Sequence, residues 1–169
     1  MRKTERFPVK GANSLWHVYD TVPFWKVIKN FIFIQAARYS PFLSWKNFFY
    51  RTFLRMEVGK ETSFALMVMV DVMFPERIKV GNNTIIGYNT TILAHEYLIN
   101  EYRIGDVIIG DRVLIGANST ILPGVTIGND AIISAATLVN ADVPEGCFVG
   151  GNPMHIIYTK EEMLERNAK

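Results

Sequence analysis

A single histidine, His95, opens the stretch HEYLINEYRIG over residues 95–105, where an otherwise strict repeat of the chain breaks off. An imidazole titrates near neutrality and can take a proton from a hydroxyl or amine and hand it to a leaving group, so a histidine at the root of a loop on a rigid scaffold is a candidate general base. Its bland alternative is a corner residue satisfied by one hydrogen bond. Other chemically active residue types offer less. Cys147, the one cysteine, lies in EGCFVGG with no adjacent base or cation to stabilise a thiolate, and reads as a small buried side chain. The three histidines, His17, His95 and His155, include no pair at ligand spacing, so no metal site is expected. Asp71 stands alone among apolar residues in ALMVMVDVMF, residues 65–74. Buried without a partner it would be costly, so it must face a polar site or another group.

The elements that position these residues follow from a period of six. Ile109, Ile115, Ile121, Ile127, Ile133 and Val139 fall six apart, and an earlier register runs Val80, Ile86, Ile92. Glycine often follows the aliphatic residue, and Asn, Asp or a small residue fills much of the remainder. Neither a helix nor a hairpin has this period. One inward aliphatic and one tight corner per unit make a short flat side, and three sides close a triangular coil. Coils stacked about 4.8 Å apart place Ile109 against Ile127, Ile115 against Ile133 and Ile121 against Val139. Within such a stack extra residues can leave only at a corner, which makes residues 95–103 a surface loop.

At these residues the chain resembles the hexapeptide-repeat acyltransferases, whose [LIV]-G-x-x-x-x array winds as a left-handed parallel β-helix. The likeness covers about residues 55–157 and is nearest to the maltose and galactoside O-acetyltransferase branch, through H-E-Y…E…V-x-I-G, I-L-P-G-V-T-I-G and G-G-N-P. The hand comes from the resemblance alone, since general crossover rules favour the opposite one. The expected architecture is mainly β, with an N-terminal helical arm over residues 1–57, the β-helix over 58–157 and a C-terminal helix over 158–169.

The resemblance implies transfer of an acetyl group from acetyl-CoA to a hydroxyl or amine of a sugar or cell-envelope glycan. His95 matches the family's catalytic histidine. Glu101 matches a loop carboxylate that would hold the imidazole in one tautomer; its alternative is a solvated loop acid. Backbone at Ala117 and Ala135 would bind the pantetheine of CoA. The position commonly Lys is Ala141 here, and the Arg expected after G-N-P-x is His155, which leaves Asn140, His155 and Lys160 to share the phosphates. Asp71 matches an acceptor-binding carboxylate, whereas the family's acceptor-binding Asn has no counterpart near Phe64 and Leu66. Asn89 reads as a stacked corner residue. Family members pack three prisms with active sites between subunits, so a homotrimer is expected. The rival classes are a β-helix scaffold without catalysis and a γ carbonic anhydrase-like hydratase, the latter opposed by the missing histidine pair.

Charge divides the chain. Residues 1–60 hold eleven Lys/Arg against three Asp/Glu, and the remainder seven against thirteen. Phe24, Val27, Ile28, Phe31 and Ile34 after Pro23, then Phe42, Trp45, Phe49 and Phe53 after Pro41, have helical spacing with packing faces. Such a basic aromatic arm could back a packed helix pair with a solvated face, or lie on an anionic membrane. It carries no nucleic-acid motif, and no nucleic-acid partner is expected. With neither a signal peptide nor a membrane span, a cytoplasmic protein is expected, peripheral contact at the inner membrane face being the arm's second reading. Thr159 and Glu162 form a capping-box pattern for the terminal helix, with Glu162 and Arg166 spaced as a charge pair.

Overall fold

The computed structural model describes residues 2–168. Its chain order is β1 (Glu5–Pro8), a 3-10 turn at Ser14–His17, α1 (Val18–Thr21), α2 (Phe24–Tyr39) and α3 (Leu43–Thr52). Then come β2 (Glu57–Val58), β3 (Ser63–Phe64), β4 (Met69–Val70), a 3-10 turn at Pro75–Arg77, β5 (Ile78–Val80), β6 (Ile85–Ile86) and β7 (Thr91–Ile92). A hairpin of β8 (His95–Tyr97) and β9 (Glu101–Ile104) follows. The stack resumes with β10 (Val107–Ile109), β11 (Leu114–Ile115), β12 (Thr120–Ile121), β13 (Thr126–Ile127), β14 (Ile132–Ile133), β15 (Leu138–Val139) and β16 (Phe148–Gly150). The chain closes with β17 (His155–Tyr158) and α4 (Lys160–Asn167).

The period of six builds three parallel walls. Face 1 is β2-β5-β10-β13, face 2 is β3-β6-β11-β14-β16 with β17 added antiparallel, and face 3 is β4-β7-β12-β15. Ile109 pairs with Ile127, Ile115 with Ile133 and Ile121 with Val139, as the spacing requires. Each wall contributes one inward aliphatic per coil, and Val80, Ile86, Ile92, Ile115, Ile121 and Ile133 are all buried. Corners turn through left-handed backbone at the third residue, for example Asn89 (φ 54°), Asn118 (φ 60°) and Asp130 (φ 59°), a conformation that Asn and Asp tolerate best among residues with a side chain. Asn89 Nδ2 donates to Asn118 Oδ1 at 3.0 Å, so the corner asparagines stack as a ladder. Gly116 is required by close approach, because a Cβ there would lie 2.4 Å from the Ala135 nitrogen.

A parallel stack leaves one row of polar groups open at each end. Here the wall strands donate their N–H groups forward, as Ser63 does to the Thr84 carbonyl, so the wall carbonyls of the first coil have no coil behind them. Helix α3 supplies the missing donors. Lys46 Nζ donates to the carbonyls of Phe64 (3.1 Å) and Ala65 (2.7 Å), Asn47 Nδ2 to Thr62 (2.8 Å), and Arg51 to Val58 (2.9 Å) and Gly59 (2.6 Å). From α2, Asn30 Nδ2 reaches the Val72 carbonyl at 2.8 Å. Burial pushes the Lys46 amine down from its ordinary value.

These caps correct the expected packing of the arm. Both helices form where the prolines indicate, but Phe24, Phe31, Phe42 and Trp45 are exposed, while Asn30, Ile34, Ala37, Lys46 and Tyr50 face inward. The need to satisfy carbonyls outranks the apolar spacing, and it rotates the aromatics outward. At the other end, α4 begins at the Thr159–Glu162 capping box. Arg166 lies 4.3 Å over the Tyr158 ring instead of pairing with Glu162. The strand β1, unsuspected from its mixed sequence ERFP, pairs antiparallel with β9.

Candidate functional site

Two interruptions leave the prism at the same edge, between faces 3 and 1. One is residues 71–77, directly after β4; the other is the β8–β9 hairpin, after β7. Because Val70 pairs with Ile92, Asp71 is stacked against the root of the hairpin although it is 24 residues from His95. The expected loop is thus an ordered hairpin, and β1 extends it into a three-stranded sheet, β1-β9-β8. The N-terminal segment braces its tip: Ser14 Oγ donates to the Leu98 carbonyl at 2.6 Å, and Thr21 Oγ1 lies 2.8 Å from Tyr97 Oη.

Asp71 is fully buried and accepts five hydrogen bonds. Its Oδ1 takes the N–H groups of Met73 and Phe74, both at 2.8 Å. Its Oδ2 takes the N–H groups of Ala94 (2.7 Å) and His95 (3.1 Å), and lies 2.6 Å from His95 Nδ1. Burial pushes this carboxyl up, but the His95 hydrogen bond and charge, with the Phe74 and Ala94 N–H groups, outweigh it and hold it below its ordinary value. The ionised Asp71 draws a ring proton to Nδ1, so that whenever the ring carries a single proton its lone pair is on Nε2.

The imidazole sits between two aromatic edges, Tyr97 at 5.2 Å and Phe74 at 6.0 Å between ring centroids, and its side chain is 16% exposed. It is therefore fixed at one nitrogen and reachable from solvent. Neither aromatic was singled out from sequence. The signal for Tyr97 was strand alternation, which places it on the His95 side of β8; Phe74 was marked only by lying three residues after Asp71.

Glu101 does not meet His95 within the chain. His95 and Tyr97 oppose Ile104 and Tyr102 on one face of the hairpin, and Glu96 opposes Arg103 on the other. Glu101 is two residues before Arg103 and shares that second face. Its Oε1 accepts from Arg103 Nε at 2.6 Å. The carboxylate that orients the imidazole is Asp71, which sequence reading had set aside for the acceptor.

Ala117 and Ala135 lie on a different edge, between faces 2 and 3, on successive coils. Neither N–H donates a hydrogen bond among the described residues, so two donors stand in line about 4.8 Å apart. His155 is at the same edge one coil further on, its ring against Gly151. Asn140, exposed, follows β15 on the edge that carries His95. Lys160 is apart from both: its Nζ pairs with Glu145 at 2.7 Å, and its stem packs on Gly146 at the edge between faces 1 and 2. Geometry therefore groups Ala117, Ala135 and His155, and separates Lys160 from them. Cys147 is buried.

Comparison with known proteins bears on the repeat and the fold. Residues 106–141 match the family described as hexapeptide repeat of succinyl-transferase. The Bacillus subtilis (strain 168) protein named "Putative acetyltransferase YvoF" is 76% identical over 169 residues, which is 100% of this chain and 98% of that one. Among solved structures, the Vibrio cholerae hexapeptide-repeat acetyltransferase VCA0836 complexed with acetyl coenzyme A superposes with a TM-score of 0.68 at 21% identity, over 80% of this chain and 87% of that chain. A galactoside acetyltransferase in complex with coenzyme A gives a TM-score of 0.64 at 19% identity, over 85% of this chain and 84% of the other. The β-helix is thus of the left-handed hexapeptide-repeat kind.

Proposed function

The chain belongs to the hexapeptide-repeat acetyltransferases, and from that premise we propose that it moves an acetyl group from acetyl-CoA onto a hydroxyl or amine of a sugar or cell-envelope glycan, with His95 as general base. The observation that carries this reading is the 2.6 Å contact of Asp71 with Nδ1, which leaves Nε2 free on a solvent-reachable ring. Nε2 takes the acceptor's proton as its oxygen or nitrogen attacks the thioester carbonyl. The resulting imidazolium, stabilised by Asp71, gives that proton to the departing thiolate of CoA. No covalent intermediate on the enzyme is required.

The donor would run along the edge of Ala117 and Ala135, whose free N–H groups suit the pantetheine amides, with His155 toward the phosphates. This edge is separated from His95 by the width of face 3. The separation supports a homotrimer in which His95 of one subunit works beside the Ala117–Ala135 edge of its neighbour. Asp71 is a positioning residue in this account, and Asn140 shares the His95 edge.

Release of CoA thiol from acetyl-CoA, measured over a panel of sugars, sugar-lipids and amines with the product mass determined, tests the reading. A mass gain of one acetyl group on one acceptor class is expected; no acceptor-dependent thiol release from any of them would overturn it.

A further inference from the structure

Helix α2 has two apolar faces. The inner one packs Asn30, Ile34 and Ala37 against the β-helix. The opposite one carries Trp25, Ile28, Ile32 and Tyr39, spaced three, four and seven residues apart, so they form one stripe along the helix. Trp25 is 76% exposed, Ile32 56% and Tyr39 65%. Helix α3 adds Trp45 at 60% and Phe48 at 55% on its own outward side. Isolated exposed apolar residues are ordinary, but aligned Trp, Ile, Tyr and Phe on adjacent helices mark a surface that meets something.

Charge identifies what it meets. Residues 24–52 contain five Lys/Arg and no Asp or Glu. Lys46 is buried on the first coil's carbonyls and Lys26 pairs with Glu76 at 2.6 Å. Arg51 caps the Val58 and Gly59 carbonyls, whereas Lys29, whose Nζ donates to the Phe53 carbonyl in an exposed hydrogen bond, and the half-buried Arg38 have no carboxylate partner among the described residues. A second copy placed face to face through a twofold axis would set this positive surface against itself. Among the described residues no helix is long and apolar enough to cross a bilayer. We propose that the outward faces of α2 and α3 dock the protein on an anionic lipid surface, with Trp25, Ile32, Tyr39, Trp45 and Phe48 entering the headgroup region and Lys29 and Arg38 against the phosphates. Aromatic residues with amphipathic rings partition to that depth, and each cation near an anionic leaflet strengthens binding several-fold.

The test is co-sedimentation of the full chain with vesicles of phosphatidylglycerol and phosphatidylcholine, and with phosphatidylcholine alone. Binding at least about tenfold tighter to the anionic vesicles is expected, falling as salt rises. The triple variant W25S/I32S/W45S should stay in the supernatant with unchanged Tm and unchanged oligomeric state, and K29Q/R38Q should bind about tenfold more weakly. Wild-type protein that ignores anionic vesicles would overturn the proposal. So would a triple variant whose oligomeric state changes, because the face would then belong to a subunit interface.

Discussion

Asp71 Oδ2 lies 2.6 Å from His95 Nδ1 across the joint where the second coil opens into its hairpin. The same oxygen accepts the backbone N–H groups of Ala94 and His95, so one carboxylate fixes both the root of the hairpin and the orientation of the ring it carries. Under the proposed mechanism, stability and catalysis therefore meet in one residue.

Asp71→Asn should damage both. All five partners of the carboxylate are donors, and an amide must turn its NH2 toward one set of them. Loss of about 3 kcal/mol is expected, which in a chain of this length lowers Tm by roughly 6–12 °C, with kcat down by about 10²-fold. Differential scanning calorimetry and the thiol-release assay check the two effects.

The acid limb of stability follows from the same group. The Asp71 carboxyl is held below its unfolded value of about 3.9. Its contribution is then fully present above that value and is lost as pH falls through the lower folded-state value. The Tm difference between wild type and Asp71→Asn should be constant near neutrality and shrink in strong acid; a difference independent of pH down to complete acid unfolding would remove Asp71 from this account.

Glu101→Gln serves as the contrasting substitution. Its partner is Arg103, on the hairpin face away from His95. The kcat should stay within about threefold of wild type, since a part-exposed ion pair within one hairpin contributes at most about 1 kcal/mol. A loss matching that of Asp71→Asn would return the orienting role to Glu101.

Lys46→Met tests the cap on the open end of the prism. Two carbonyls lose their donor while the apolar stem is retained, and a cost of about 2 kcal/mol, or roughly 4–8 °C in Tm, is expected. An unchanged Tm would show that water caps those carbonyls equally well.

The walls were legible in sequence because a closed triangular coil needs one inward aliphatic per side, and nothing else in a chain repeats every six residues. Ile109, Ile115 and Ile121 consequently met their partners in the register counted. The arm was legible only in its boundaries. Its buried faces are defined by Asn30 and Lys46, whose polar ends answer carbonyls of another element, and apolar spacing carries no trace of that demand. The Asp71–His95 pair was hidden for a related reason. Four extra residues after β4 spoil the count of eighteen between coils, so the two looked unrelated until the Val70–Ile92 register was known. Glu101 was misplaced because a loop has no parity, whereas a hairpin assigns alternate residues to opposite faces.

A shared active site makes a quantitative prediction for mixed subunits. His95→Ala and a bulky Ala135→Trp protein should each be nearly inactive, and co-refolding them in equal amounts should restore about one quarter of wild-type activity if each site takes His95 from one subunit and the Ala135 edge from the next. No recovery would place both parts of the site within one chain.

Proton transfer through His95 is read out most plainly in a His95→Ala variant. The variant should fold with a Tm within a few degrees of wild type and lose about 10² to 10⁴ in kcat for acetyl transfer, in the thiol-release assay at saturating acetyl-CoA. A folded His95→Ala protein that turns over at the wild-type rate would contradict the account.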